Sequence, residues 1–142
     1  MAAAMALSLC TRGVPMTDAE LVQAFESGTL AIDAFPHAAH VRVARWYLLH
    51  EPMLAAMSRF RAGLRTFAAR AGKPERYHET LTIAYLLVVA DRIGTSRGAS
   101  WEEFAAAHPD LLQSGAAVLD RFYSRELLSS PRARDVFVWP DR

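Results

Sequence analysis

The chain has almost no cysteine and almost no lysine, and it lacks long apolar runs. Cys10 is the single cysteine, which excludes an internal disulfide and a cysteine-based metal cluster within one chain. This scarcity fits a reducing compartment, and the expected location is cytoplasmic. Cys10 has no motif around it and is not expected to act as a nucleophile. Lys73 is the only lysine, and 16 basic side chains face 15 acidic ones for a formal net charge of +1. That balance argues against a nucleic-acid footprint, which shows as a strongly basic face or stripe, and no helix-turn-helix with a basic recognition helix is visible. The longest apolar stretch, Leu81 to Ala90, carries Thr82 and falls short of the roughly 18 residues a membrane span requires. Internal repeats, low-complexity linkers and strand-type alternation are absent, apart from a weak run at Val136-Phe137-Val138.

The leading segment, Met1 to Pro15, is small and apolar but does not read as a signal peptide. Its first arginine, Arg12, follows the apolar run instead of preceding it, and Leu9 before Cys10 spoils a lipoprotein cleavage site. Residues 1–15 are expected to be a disordered extension, and residues 16–142 a single helical domain, a length that can bury a core without staples.

From Met16 onward the chain reads as helices with short connections. Thr17 and Glu20 match a capping box, and Ser27-Gly28 marks the end of that first helix. Pro36 opens a second helix with an inward face of His37, His40, Ala44, Tyr47 and Leu48, leaving Arg42 and Arg45 on other faces. Pro52 forces a break, and Met53, Met57, Phe60, Leu64, Phe67 and Ala71 form the apolar seam of a third helix to Ala71. A fourth helix is expected from about Glu75 to Ile93. It is apolar nearly all round between Ile83 and Ala90, the pattern of a central helix covered by neighbours. Ser100 and Glu103 make a second capping box ahead of a short helix. Further helical patterns cover Leu111 to Tyr123, Arg125 to Leu128, and Ser130-Pro131 to about Phe137. The expected fold class is all-α: a helical bundle with a four-helix core and short C-terminal helices.

Two motifs carry the chemistry, Phe35-Pro-His37-Ala-Ala-His40 and Tyr77-His78-Glu79-Thr80-Leu-Thr82. Residues three apart on a helix lie about 5–6 Å apart at Cβ, near enough to share a metal. The positive end of a helix disfavours imidazolium, and neutral imidazole is the form that binds a metal or accepts a proton. Parallel second and fourth helices would bring His37, His40 and His78 to one end of the bundle. A three-histidine site with an open position suits a divalent transition metal: zinc, iron, manganese or copper. Glu79 is then the candidate general base, fourth ligand or orienting group. Thr82 stands where H-E-x-x-H requires its second histidine, so the zinc-protease pattern is absent. Thr82, Tyr47 and Tyr85 are expected to line the pocket of a small-molecule substrate.

At these motifs the chain resembles a family of short, largely uncharacterised bacterial helical proteins. Its recurring pattern is F-x-H-x-x-H followed by V-R-x-A, then Y-H-E-T-x-T, a tryptophan–acidic–phenylalanine helix, and an A-R-x-x-F-x-x-P-D ending. These correspond to Phe35–Leu49, Tyr77–Thr82, Trp101–Phe104 and Ala133–Asp141, and the resemblance spans about Thr17 to Asp141. Arg45 departs from it, standing where a less polar residue is usual. The resemblance implies that the His/Glu set belongs to a recurring pattern, and it names no substrate.

Three functions compete on this reading: a metal-dependent enzyme acting on a small molecule, a metal-free acid/base enzyme using His78 and Glu79, and a non-enzymatic helical interaction module with structural histidines. Metal content separates the first from the others. Histidines that point into separate hydrogen bonds with backbone favour the third. The alanine-rich helices also offer flat surfaces for a homodimer.

Overall fold

A computed structural model describes residues 10–11, 14–94 and 96–142. The expected extension over residues 1–15 falls mostly outside the described residues. Within it, Cys10–Thr11 pairs antiparallel with Val14–Pro15. The remaining regular structure is helical. No helix among the described residues is long and apolar enough to cross a membrane.

Helix α1 (Asp18–Ser27) starts where local chemistry places it. The Glu20 amide donates to Thr17 Oγ1, the Thr17 amide donates back to Glu20 Oε2, and Gly28 ends the helix in the left-handed conformation at φ 73°. Helix α2 (His37–His50) begins after Pro36, and α3 (Met53–Arg70) begins after Pro52. The chain then makes a separate 3-10 turn at Pro74–Arg76, so α4 runs Glu79–Ile93 and is shorter than expected. Helix α5 (Trp101–Ala107) opens on the Ser100/Glu103 capping box. The stretch expected to be helical from Leu111 to Tyr123 divides into a 3-10 turn, Pro109–Leu112, and α6 (Gly115–Leu119). Helices α7 (Arg125–Leu128) and α8 (Pro131–Asp135) complete a C-terminal layer, and α4 packs against both α6 and α8.

The helix enclosed on every side is α2, which packs on α1, α3 and α4. It buries Ala38, Ala39, Val41, Val43, Ala44, Tyr47 and Leu48, and also Arg42 and Arg45. Both arginines were expected on outward faces. Arg42 is accommodated by acceptors on neighbouring segments, whereas Arg45 finds one acceptor and keeps its buried Nε unpaired. Arg42 donates to Asp18 and to the Met16 carbonyl. Arg45, only 3 % exposed, donates to the Ala99 carbonyl and lies over the Phe104 ring at 5.0 Å. By contrast α4, expected to be covered all round, leaves Leu87 exposed. The α3 seam is also only half covered: Phe60 is buried, while Met57, Leu64 and Phe67 pack at the core edge.

Gly63, within α3, is required by packing. A Cβ there would lie 2.3 Å from Cε1 and 2.4 Å from Cζ of Phe25, a buried ring that packs at a tilt on Phe35 at 5.0 Å. Alanine is intrinsically better than glycine in a helix by about 1 kcal/mol. Here the overpacking term is larger, and Gly63→Ala is expected to lower stability by about 1–3 kcal/mol. Urea unfolding checks the sign, and a stabilised variant would contradict this account.

Candidate functional site

Three polar residues of the two motifs, His37, His78 and Thr80, lie along the seam between the helical core and the C-terminal layer. His78 was expected on the first turn of its helix. Because residues 74–76 form their own turn, it stands one position before α4, in extended conformation, as the N-cap. Its Nδ1 accepts from the Leu81 amide at 3.1 Å, and its Nε2–H donates to the Leu128 carbonyl at 2.8 Å. The side chain is buried. Both ring nitrogens are therefore occupied, and the two partners together fix the Nε2–H tautomer.

Thr80 acts alongside it. Its buried hydroxyl donates to the Val136 carbonyl at 2.9 Å and accepts from the Val138 amide at 3.2 Å. His37 Nε2–H donates to the Leu111 carbonyl at 2.8 Å, and the Tyr85 hydroxyl donates to the same oxygen. Each of these side chains captures a backbone group of the C-terminal layer. Their shared effect is to fasten residues 111, 128 and 136–138 onto α2 and α4.

His40 follows His37 by one turn, with ring centroids 6.2 Å apart, and packs on the Phe35 ring at 4.1 Å. Burial pushes its pKa down from 6.5 to about 4, and the neighbouring His37 adds to the shift. Burial also lowers the pKa of His37, against the opposing pull of the Leu111 carbonyl. Both imidazoles are neutral at neutral pH.

Glu79 faces a different set of groups. It is buried, accepts from the Tyr77 hydroxyl at 2.6 Å and pairs with Arg61, while Arg65 lies 3.4 Å away. Burial raises its pKa, but the Tyr77 hydrogen bond and the Arg61 pair outweigh that, and the net displacement is downward. A carboxylate so held is a weak base. Its contribution to stability is present above the pKa of the unfolded chain and is lost as pH falls through the folded value. Glu79→Gln is expected to lower stability by about 1–3 kcal/mol through the weakened charged hydrogen bonds. Arg65, which is 55 % exposed, adds little to that figure. A denaturant midpoint that does not move would show that the pair is idle.

The structure thus brings His37 and His40 together on one helix face, as their spacing predicts, and turns His78 and Glu79 to other partners. Among the described residues no group of three or more His, Cys, Asp or Glu is arranged to hold a metal. The expected pocket residues separate too. The Tyr47 hydroxyl donates to Glu26 at 2.7 Å, the Thr82 hydroxyl to the His78 carbonyl at 2.8 Å, and only Tyr85 stays with His37.

A further feature, marked by no sequence motif, lies on the outer side of α4. A groove of about 610 Å³ runs between α4 and the C-terminal layer. Ala84, Leu87 and Val88 line one wall; Val118, Phe122 and Trp139 line the other. The polar part of the lining is Asp91, Gln113, Arg121 and the Arg92–Asp110 ion pair, whose two contacts measure 3.0 and 2.7 Å. No local pattern marks it, because Leu87, exposed in the fold, stands inside an apolar run that looks like core.

Comparison of the chain with protein-family models, with curated proteins and with solved structures found no match.

Proposed function

We propose that the protein is a non-enzymatic helical binding module whose histidines are structural, and that the groove between α4 and the C-terminal layer is where it takes an apolar partner. The observation that carries this reading is the engagement of the motif residues. His78 has both nitrogens bonded, and Glu79 is held by a tyrosine and an arginine, so neither offers the free acid or base that proton transfer needs. The groove supports it independently. Its volume lies in the range of ligand sites, and a mainly apolar lining with a few convergent polar groups is typical of them.

The test is a titration of dilute, monomeric protein with an environment-sensitive apolar dye, anilinonaphthalene sulfonate, followed by fluorescence and amide chemical shifts. The expected result is saturable binding, with shifts confined to α4, α6 and the segment around Trp139. Val118→Arg is expected to weaken binding by about tenfold or more. A folded protein that binds no dye saturably would overturn the reading.

A second reading, a metal-dependent enzyme acting on a small molecule, is favoured by one observation: His37 and His40 are neutral and one turn apart. A third ligand would come from His78 or Glu79 after release of its present partners, and the metal would be zinc, iron, manganese or copper. Elemental analysis of protein purified without an affinity tag decides between the two. Near-stoichiometric metal, lost in His37→Ala, His40→Ala and His78→Ala alike, would establish the enzyme reading and displace the first.

A further inference from the structure

One wall of the groove carries a projection. Trp139 is 82 % exposed, yet it lies on a segment held on both sides. On one side the Val138 carbonyl accepts from the Tyr123 hydroxyl at 2.9 Å, and the Val138 amide donates to Thr80. On the other, Asp141 accepts from the Ser124 amide and hydroxyl at 2.7 and 2.6 Å, and its own amide donates to the Phe122 carbonyl. Phe137 meets the indole edge-on at 5.9 Å. The indole is thus offered to solvent from a pre-ordered backbone, so little ordering entropy is lost when it is buried against a partner. Tryptophans placed this way dominate interface energetics.

The charges around the groove select the partner. Asp91 stands on the α4 wall and Arg121 on the opposite wall, and among the described residues neither makes a salt bridge. The remaining pair, Arg92 and Asp110, neutralise each other. A lining with two acids and two arginines has no net pull on a polyanion or an anionic surface. One unpaired acid and one unpaired arginine make the lining self-complementary under a two-fold axis, where the same patch meets itself and each residue of a pair is matched twice. Across such an axis Asp91 of one copy would face Arg121 of the other, and the reverse. A formal net charge of +1 opposes self-association only weakly.

We infer that the occupant of the groove is a second copy of this chain, in a two-fold dimer where Trp139 of each copy enters the groove of the other and Asp91 pairs with Arg121 across the axis. This rests on the groove being the binding surface. Sedimentation of the full chain over a wide concentration range tests it. The expected result is a reversible monomer–dimer equilibrium. Trp139→Ala, whose side chain lies outside the core, should abolish the dimer while leaving the circular dichroism spectrum unchanged. Asp91→Arg and Arg121→Asp should each weaken it about tenfold, and the double variant should recover most of that loss. A chain that is monomeric at every concentration overturns the inference. So does a dimer indifferent to Trp139→Ala and to the charge exchange. A monomer that still binds the apolar dye leaves the groove reading standing and removes only the dimer, whereas loss of dye binding as well removes both.

Discussion

His78→Ala is expected to destabilise the fold by about 3 kcal/mol, summing a lost N-cap and a stranded carbonyl. The substitution removes the acceptor for the Leu81 amide and the donor for the Leu128 carbonyl in one step. Because the imidazole is 5 % exposed, water does not replace either partner without entering the seam. The damage should be local before it is global. Hydrogen exchange is expected to accelerate first in α7 and in residues 136–138, which lean on the same seam through Thr80, while α1, α2 and α3 keep their protection. His78→Asn separates the two roles. Asparagine caps helices well, so it should recover about 1 kcal/mol of the loss and leave the Leu128 carbonyl unpaired. A His78→Ala variant with wild-type stability and exchange would defeat the claim that this histidine is a fastening.

Acidification is the second large effect, and His40 sets its window. Its pKa is about 4 in the folded protein against an ordinary 6.5, so the unfolded chain takes up a proton that the folded one refuses. Stability is full above the unfolded value. It falls as pH drops from 6.5 toward 4, with about 3 kcal/mol lost by the lower end. His37 works in the same direction, since burial lowers its pKa as well. The carboxylates follow later: Glu79 and Asp110 are displaced below ordinary values of 4.5 and 3.8, so their contributions fade only beneath those. Urea midpoints measured between neutral pH and about pH 4.5 should therefore slope downward in the wild type. The slope should flatten in His40→Gln, which cannot titrate. An unchanged slope in that variant would assign the acid sensitivity to another group.

Much of the helical framework was legible because its determinants are local. The Thr17/Glu20 and Ser100/Glu103 boxes close within one turn, and Gly28, Pro36 and Pro52 act through their own backbone conformations. The face carrying His37 and His40 followed from helical period alone. Local pattern misleads where an outcome depends on residues far along the chain. Arginine at 42 and 45 reads as outward until Asp18, Met16 and Ala99 supply acceptors. His78 reads as a helix-face ligand until the turn at residues 74–76 moves it to the cap and the Leu128 carbonyl, 50 residues on, takes its second nitrogen.

The candidate site divides along the same line. That His37, His40, His78 and Glu79 were unusual residues for a helical core was evident from their types and spacing. Their tasks were not, because a histidine is equally suited to a metal, a proton or a backbone carbonyl, and only its surroundings choose among them. The groove is wholly a product of the tertiary arrangement, since Leu87 and Trp139 stand far apart in the chain and come to line one groove only when α4 receives the C-terminal layer. The sequence by itself determined the all-α class, the helix boundaries set by caps and prolines, and the apolar stripes, all properties that act over a few residues. Tertiary structure alone decided which helix is enclosed, which carbonyl each buried polar group ends on, and where an apolar surface is left open. Those depend on contacts between distant segments, whose geometry no local pattern encodes.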